Sequence, residues 1–223
     1  TSAGSSPATA IPPEIVSGSV SDDFEGQTLG GRVNGWNTYG SQWAPVTIAE
    51  GHDGQVLQLA DRENDDYARA IRVFQEGTKA TLKFTAMASQ PNAQLDIDVQ
   101  DQYGNRPVRL RFDTDGVLKY VDGSEEKVIL AYTQGRYYEF ELEIDATPYG
   151  SYKLSVGGTV YAENAQLAEA VKSVERLSFR TGEFRSLPAR QTVNEEVHPP
   201  LPGADEMAAE ALFTVDDVVL VGE

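Results

Sequence analysis

Arginines form two groups in a chain that is otherwise strongly acidic. Arg109 and Arg111 alternate with apolar residues, and Arg180 and Arg185 border a proline-rich stretch. A guanidinium can bind a carboxylate or sulfate through two parallel hydrogen bonds, so grouped arginines can select an acidic sugar. Three glutamates alternate along another segment, at Glu139, Glu141 and Glu143. The alternative is therefore that the arginines only neutralise these neighbouring acids.

Two aromatic residues lie close together in a segment without strand character. Tyr39 and Trp43 occur in the sequence Tyr-Gly-Ser-Gln-Trp. A pyranose ring presents a face of C–H bonds that packs on an aromatic ring. Both residues are candidate sugar contacts, and the alternative is a small satellite core beneath the loop. Trp36, which follows a glycine, is assigned to the core.

An aspartate pair has the spacing that one carbohydrate chemistry requires. Asp96 and Asp98 are two residues apart, so a strand would place both on one face. Retaining glycosidases use two carboxyl groups about 5 Å apart, and the segment resembles the catalytic strand of laminarinase-like glycoside hydrolases. That family has glutamates where this chain has glutamine or the shorter aspartate. Arg109 and Arg111 can pair with the aspartates across strands, so we expect structural ion pairs and assign no catalytic residue.

A second enzymatic interpretation is a polysaccharide lyase. Residues 179–185 (FRTGEFR) resemble the arginine-rich strand of jelly-roll alginate lyases, but the companion Gln-x-His and Tyr-Phe-Lys motifs of that family are missing. Neither His52 nor His198 fits the pattern, which leaves Tyr137 or Tyr103 as a possible base. The chain also has no Gly-x-Ser-x-Gly sequence for a serine hydrolase.

The elements that must position these residues are strands. Apolar and polar residues alternate with period two in five segments, 78–88, 95–100, 108–113, 137–144 and 177–180. Glycine-containing turns separate such segments, at Tyr103-Gly104-Asn105, Asp115-Gly116, Asp122-Gly123, Pro148-Tyr149-Gly150 and Gly157-Gly158. About twelve strands follow, which predicts an all-β, two-sheet antiparallel jelly-roll β-sandwich. One short helix is predicted at 165–173.

The ends and one internal stretch differ in composition from the strands. Residues 1–19 are rich in serine, alanine and proline and are interpreted as a linker or mature N-terminal tail. Residues 20–223 are assigned to one domain, whose size suits a single sandwich. Within it, 181–211 is predicted to be a long loop, because it holds several prolines and almost no alternation.

Charge and composition exclude several classes of partner. Acidic residues outnumber basic ones by 35 to 18, giving a net charge of −17. We therefore expect no nucleic-acid partner and no membrane binding. The chain has no cysteine, which excludes disulfides and thiolate metal sites. The acidic balance suits a secreted or extracellular protein, with the periplasm or cell surface as further options.

Acidic residues stand near both ends of the predicted domain. They are Asp22, Asp23 and Glu25 at the start, and Asp216 and Asp217 at the end. The closing segment alternates as a strand up to Val215, is interrupted by the two aspartates, and resumes at Val218 one residue out of step. This pattern predicts a β-bulge that can turn a carboxylate toward a cation.

These end motifs resemble the first and last strands of bacterial concanavalin A-like jelly-roll domains, including laminin-G-like modules and several carbohydrate-binding families. The resemblance extends over residues 22–220. It implies that the two chain ends are adjacent in one sheet and that a structural Ca²⁺ lies between them. Glu25 and Asp216 are the first candidate ligands, followed by Asp22, Asp23 and Asp217. The alternative is that these acids only cap loops.

The sequence as a whole favours a non-catalytic module that binds a polysaccharide, with an acidic glycan as the ligand suggested by the arginines. Tyr39, Trp43, Arg109, Arg111, Arg180 and Arg185 are the candidate contacts. We expect a monomer that is fused to, or associated with, a catalytic domain in a secreted polysaccharide-degrading system. A polysaccharide lyase or glycoside hydrolase is the first alternative, and a structural spacer without a ligand is the second.

Overall fold

The computed structural model describes residues 18–51, 53–182 and 206–223. This part of the chain contains fifteen strands and no helix, three more strands than the alternation alone predicts. The strands are β1 (Val20–Asp22), β2 (Asn37–Gly40), β3 (Val46–Gly51), β4 (Gly54–Asp61), β5 (Ala68–Gly77), β6 (Lys79–Ala88), β7 (Leu95–Gln100), β8 (Val108–Phe112), β9 (Val117–Asp122), β10 (Glu125–Ala131), β11 (Tyr137–Asp145), β12 (Ser151–Val156), β13 (Thr159–Gln166), β14 (Val174–Thr181) and β15 (Ala211–Gly222). No helix here could therefore span a membrane.

The strands form two antiparallel sheets. The eight-stranded sheet has the order β13-β12-β11-β6-β15-β4-β3, with β1 also paired to β15. The seven-stranded sheet has the order β10-β9-β8-β7-β14-β5-β2. Val20 of the first strand lies opposite Leu220 of the last. The predicted antiparallel sandwich and the adjacency of its two ends are both confirmed.

The core lies between the sheets and is built from the inward-facing residues of each strand. Phe84 and Phe140 of the eight-stranded sheet stack with their ring centroids 4.9 Å apart. Phe179 of the seven-stranded sheet meets Phe84 edge-on at 5.3 Å, which joins the two layers. Trp36 is buried against Phe24 and Phe179, so its assignment to the core is confirmed.

The predicted turns are confirmed, whereas the predicted helix is wrong. Each of the five glycine-containing turns connects two consecutive strands. At 165–173, Ala165 instead pairs with Tyr152 in the sheet, and β13 continues to Gln166. Ala165 and Val171 are both buried. Strand pairing and burial here outweigh the helical preference of an alanine-rich segment.

In β7 the expected alternation between a buried and an exposed face is lost. The first five residues of β7 are all buried, including Asp96 and Asp98. Its apolar residues face the other sheet, and its aspartates lie on the outer face beneath long basic side chains of neighbouring strands. This covered part of the outer face is the centre of the candidate site.

Candidate functional site

A row of polar side chains crosses the outer face of the seven-stranded sheet. The strand registers place six residues directly opposite one another, in the order Tyr39, Arg69, Arg180, Asp96, Arg111 and Lys119. Residues opposite each other in neighbouring strands share one face of a sheet. We call this set the charged row. It brings together the predicted contacts Tyr39, Arg180 and Arg111, which come from β2, β14 and β8.

Arg109 lies on the same face, one step along the strands from the charged row. It is opposite Asp98, which in turn is opposite Ser178. The Arg106 guanidinium also approaches Asp98, with 3.7 Å between Nη1 and Oδ2. Burial, followed by the charge of Asp96, raises the pKa of Asp98 to about 7, although the nearby arginines oppose this shift. Asp98 is therefore a buried carboxyl group that titrates near neutral pH.

The β8 and β9 end of the charged row is neutralised by acids. Arg111 Nε lies 2.8 Å from Asp96 Oδ1, and Arg111 also reaches Glu126 at 3.4 Å. Lys119 Nζ lies 2.8 Å from carboxylate oxygens of both Asp113 and Asp115. The expected pairing of Arg111 with an aspartate is thus confirmed for Asp96.

The expected alternative partners of the arginines are on the other sheet. Glu139, Glu141 and Glu143 belong to β11, whereas the arginines of the charged row belong to the seven-stranded sheet. Glu141 pairs instead with Lys83, at 3.7 Å. The idea that these glutamates neutralise the arginines is therefore wrong, because the sheet assignment separates the two groups.

The β5 and β14 end of the charged row places two arginines side by side. Arg69 lies opposite Arg180, and within the described residues Arg69 and Arg109 form no ion pair or side-chain hydrogen bond. The Arg180 guanidinium is 3.8 Å from the centroid of the Tyr67 ring, a cation–π contact. Burial lowers the pKa of Arg180, and the charge of Arg69 acts in the same direction.

Two tyrosines lie at this cationic end, and Trp43 lies in the turn that follows the strand of one of them. The rings of Tyr39 and Tyr67 are 4.9 Å apart, and the Tyr39 hydroxyl lies 3.0 Å from the Asp66 carboxylate. Trp43 is half-buried in the turn after β2, and its backbone N–H donates to Glu63 at 3.1 Å. Glu63 and Tyr67 both belong to the β4–β5 connection. This connection therefore contacts the Trp43 turn and also contains Tyr67. Arg185, the remaining predicted contact, lies outside the described residues.

Arg69 and Tyr67 are the members of this end that the sequence analysis missed. Arg69 lies in a segment, Ala-Arg-Ala-Ile-Arg-Val, whose alternation can be recognised. That pattern indicates an outward-facing arginine but does not indicate its neighbour. Tyr67 precedes β5 in a connection without periodicity, so no sequence signal points to its contact with Arg180.

The acidic chain ends also meet, and the predicted bulge is confirmed. The pairing of β15 with β6 shifts register between Asp216 and Val219, and Asp217 has a φ of 48°. Burial, together with the charges of Asp217, Glu25 and Asp23, raises the pKa of Asp216 to about 6, although the Asp217 N–H opposes this shift.

Two of the other predicted metal ligands accept hydrogen bonds from protein groups. Asp22 accepts the Trp36 indole N–H at 2.8 Å, and Glu25 accepts the Gln55 backbone N–H at 2.7 Å. Within the described residues, no three acidic or histidine side chains are gathered closely enough to hold a metal ion. The negative charge at this end suits a cation, but the side chains are not arranged as a complete ligand set.

The residues considered for catalysis are divided between the sheets. Tyr137 lies on the outer face of the eight-stranded sheet, where its hydroxyl is 3.4 Å from Thr214 Oγ1. Asp96 and Arg180 lie on the seven-stranded sheet. Tyr103 is exposed at the tip of the β7–β8 turn. The lyase interpretation therefore lacks a shared site for Tyr137 and Arg180, and His52 and His198 lie outside the described residues.

Residues 36–196 match the family model described as a sialidase-like, carbohydrate-binding-module domain. The chain belongs to this family. As a sialidase-like carbohydrate-binding module, it has a carbohydrate as its ligand class, in agreement with the sequence prediction. No curated protein sequence matches it significantly.

Solved structures show the same fold in several contexts. A sialidase is 26% identical with a TM-score of 0.81, and the match covers 92% of this chain but 18% of the sialidase. An alginate lyase solved with an alginate trisaccharide is 13% identical, with a TM-score of 0.62 and coverages of 94% and 100%. An endo-β-1,4-glucuronan lyase from Trichoderma reesei is 15% identical, with a TM-score of 0.58 and coverages of 93% and 96%. At these identities the lyases share the fold alone.

Proposed function

We propose that this carbohydrate-binding module recognises an acidic glycan, without cleaving it, at the cationic end of the charged row. Arg69, Arg109 and Arg180 bind the carboxylate or sulfate groups, and Tyr39 and Trp43 offer rings for sugar packing. Arg185 extends the same set in the sequence. Arg111 positions Asp96 and contributes less to the ligand, because two acids already neutralise it.

The observation that carries this proposal is the arrangement of Arg69. Like charges directly opposite each other on neighbouring strands are destabilising, and Arg69 lies opposite Arg180 with no ion pair of its own within the described residues. A bound carboxylate or sulfate would relieve that repulsion and accept charge-assisted hydrogen bonds. In a protein of net charge −17, an arginine that faces a second arginine and forms no ion pair of its own within the described residues is best explained by an anionic ligand.

Binding measurements on single variants test the proposal. The purified chain is titrated with alginate, polygalacturonate, hyaluronan and neutral glucan while heat and product release are both recorded. We expect an acidic polymer to bind, with affinity falling as NaCl is raised, because screening weakens contacts between charges. Arg69→Ala should weaken binding by about tenfold or more, since a hydrogen bond to a charged group contributes roughly 1.5–3 kcal/mol.

The matched control is Arg136→Ala. It removes the same charge from an exposed arginine at the β10–β11 turn, where the guanidinium lies 5.4 Å from the Tyr138 ring centroid. Equal losses in both variants would mean that overall charge, and not this site, governs binding. Unchanged binding in Arg69→Ala and Arg109→Ala would reject the site. Formation of unsaturated uronate or new reducing ends would favour the enzymatic alternatives.

A structural Ca²⁺ at the joined chain ends is a second part of the proposal. This part of the proposal is supported by the repulsion between the buried Asp216 carboxylate and the acidic residues near it. A bound cation would remove that repulsion. Ca²⁺ takes six to eight oxygen ligands, so backbone carbonyls or waters would have to complete a set that begins with Asp216 and Glu25. Asp22, Asp23 and Asp217 are the remaining candidates.

Melting temperatures in CaCl₂ and in EDTA test the calcium site. We expect the wild type to be stabilised by Ca²⁺, because an ion that binds only the folded state shifts unfolding by mass action. Asp216→Asn should lose most of that response, whereas Asp145→Asn, at the end of β11, should keep it. An identical melting temperature of the wild type in Ca²⁺ and in EDTA would count against the site.

The biological setting is also a proposal. The chain spans about a fifth of the length of the sialidase that it matches, which supports an accessory role beside a catalytic domain of a larger secreted enzyme. The net charge of −17 is consistent with an extracellular protein that acts as a monomeric module. Fractionation of the producing cells and size-exclusion chromatography test the two points.

A further inference from the structure

Tyr149, in the β11–β12 connection, is an aromatic residue held fully outside the protein. Its relative exposure is 106%, whereas most tyrosines of the described chain are at least half-buried. Its backbone φ is +66°, in the left-handed region that side chains other than glycine and asparagine rarely adopt. Exposure of a large ring and strain at the same residue together require an explanation.

The turn around Tyr149 is firmly fixed. The Gly150 N–H donates to the Thr147 carbonyl at 2.7 Å, which closes a four-residue turn with Pro148 in second and Tyr149 in third position. Asp145 accepts both the backbone N–H and the hydroxyl of Thr147, at 3.1 and 2.7 Å. A positive φ at the third position is typical of a type II turn, where glycine is favoured. The fold therefore needs this turn but does not need a tyrosine in it.

A groove of about 310 Å³ lies beside the exposed ring. It is lined by Tyr149, Gly150, Gln166, Leu167 and Ala170. Among the described residues, the lining has no charged side chain and the exposed Gln166 amide forms no side-chain hydrogen bond. Small-ligand sites commonly combine an apolar wall with a few polar groups in a volume of about 300 Å³ or more. An aromatic ring, an amide and an apolar wall thus converge on one groove.

This groove is at the opposite end of the sandwich from the cationic end of the charged row. Ala146 donates a hydrogen bond to the Thr78 carbonyl at 2.8 Å, directly after the end of β5. Arg69 lies at the start of β5. One strand length therefore separates the two regions, and a ligand in the groove does not depend on the arginines.

We propose that Tyr149 and Gln166 form a second carbohydrate site, which binds an uncharged pyranose. The sugar packs its C–H face on the Tyr149 ring, the Gln166 amide pairs with a hydroxyl, and Leu167 and Ala170 form the apolar wall. The uncharged lining selects neutral sugars, in contrast to the arginines of the first site. Glycine at this position would avoid the backbone strain. The strained tyrosine is kept because its ring binds the ligand.

Titration of the complete chain with cellohexaose, mannohexaose and N-acetylchitohexaose, followed by amide NMR, tests the second site. We expect at least one of these probes to shift the Gly150 and Gln166 signals. Tyr149→Ala should weaken that binding by about tenfold, as expected for a central aromatic contact. Tyr103→Ala is the matched control, because Tyr103 is 81% exposed on another turn and does not line the groove. Arg69→Ala should leave the neutral probe unaffected, which separates this proposal from the acidic-glycan site.

Tyr149→Gly provides a second and independent readout. Glycine adopts the positive φ at lower cost, so this variant should melt at a higher temperature than the wild type while losing the probe. The proposal is overturned if none of the three oligosaccharides binds the wild type, or if Tyr149→Ala binds as the wild type does. A Tyr149→Gly variant that is less stable and binds normally would likewise overturn it, since the ring would then serve the fold.

Discussion

The cross-strand ion pair at the centre of the outer face of the seven-stranded sheet is buried, whereas a cross-strand ion pair on the outer face of the eight-stranded sheet is exposed to water. The Asp96 and Arg111 side chains, 2.8 Å apart, are only 5% and 25% exposed. Lys83 and Glu141, 3.7 Å apart on the other sheet, are 55% and 46% exposed. Both are cross-strand pairs of one acid and one base. The two pairs arise from similar alternating sequences, but the buried pair has a larger effect on the free energy of unfolding than the exposed pair.

Buried pairs fix the geometry of the first face. Desolvating a charge is costly unless its partner stays in place, so Asp96 constrains Arg111 and, through the register, the strand that carries Arg109. The exposed pairs of the second face place no comparable constraint on their strands. The seven-stranded sheet is therefore the better platform for a ligand whose charges must be matched at defined positions.

The largest predicted effect is the loss of stability in Arg111→Ala. This change leaves Asp96 buried without its closest cation, and breaking a buried pair in this way costs about 3–5 kcal/mol. Urea denaturation of the variant measures the change in the free energy of unfolding. The double variant Asp96→Leu/Arg111→Leu should recover much of the loss, because no buried charge is left unpaired. A loss below about 1 kcal/mol in Arg111→Ala would mean that the pair is effectively solvated.

The sequence predicted most of the fold because apolar and polar residues alternate with period two along several strands, among them β6, β8, β11 and β12. Residues 137–144, for example, alternate without a break and form β11 with one face in the core. The bulge at Asp216 was also predictable, since the apolar pattern shifts by one residue there. Such features are local, and each depends only on which side of its own strand a residue faces.

The candidate site was only partly predictable because it depends on pairing between distant segments. Arg180 was found as part of an arginine group, but its neighbours Arg69 and Tyr67 come from β5 and the connection before it. Alternation shows that Asp96 faces away from the core, yet it cannot show that basic side chains cover it. The mistaken pairing of the arginines with Glu139–Glu143 has the same origin, because the pattern does not assign a strand to a sheet.

An intermediate effect is expected for the pH dependence set by Asp98. Its pKa is raised to about 7 from an ordinary value of 3.8, so the folded protein holds a proton between these values that the unfolded chain has released. The contribution of Asp98 to stability should therefore fall as the pH rises from about 4 to about 7. The loss is on the order of a few kcal/mol at most, at about 1.4 kcal/mol for each pKa unit.

Asp98→Asn isolates this contribution. The groups that face Asp98 are Asp96, Arg106, Arg109 and Arg111, and the amide keeps their arrangement while removing the titration. The difference in unfolding free energy between the variant and the wild type should grow in favour of the variant across this pH window. A difference that is constant between pH 4 and 7 would show that Asp98 titrates normally and that this face is more hydrated than the structure indicates.

The smallest effect is expected for Lys83→Ala on the exposed face. The variant leaves Glu141 in water, where losing a distant partner costs less than about 0.5 kcal/mol. Urea denaturation under the conditions used for Arg111→Ala gives a direct comparison of the two faces. A cost above about 1 kcal/mol would mean that the exposed pairs, including Lys153 with Glu143, act as a connected network. The ion pairs of the two faces would then differ only in how much they stabilise the fold. The better positioning of ligand contacts on the seven-stranded sheet would in that case depend on its strand register alone.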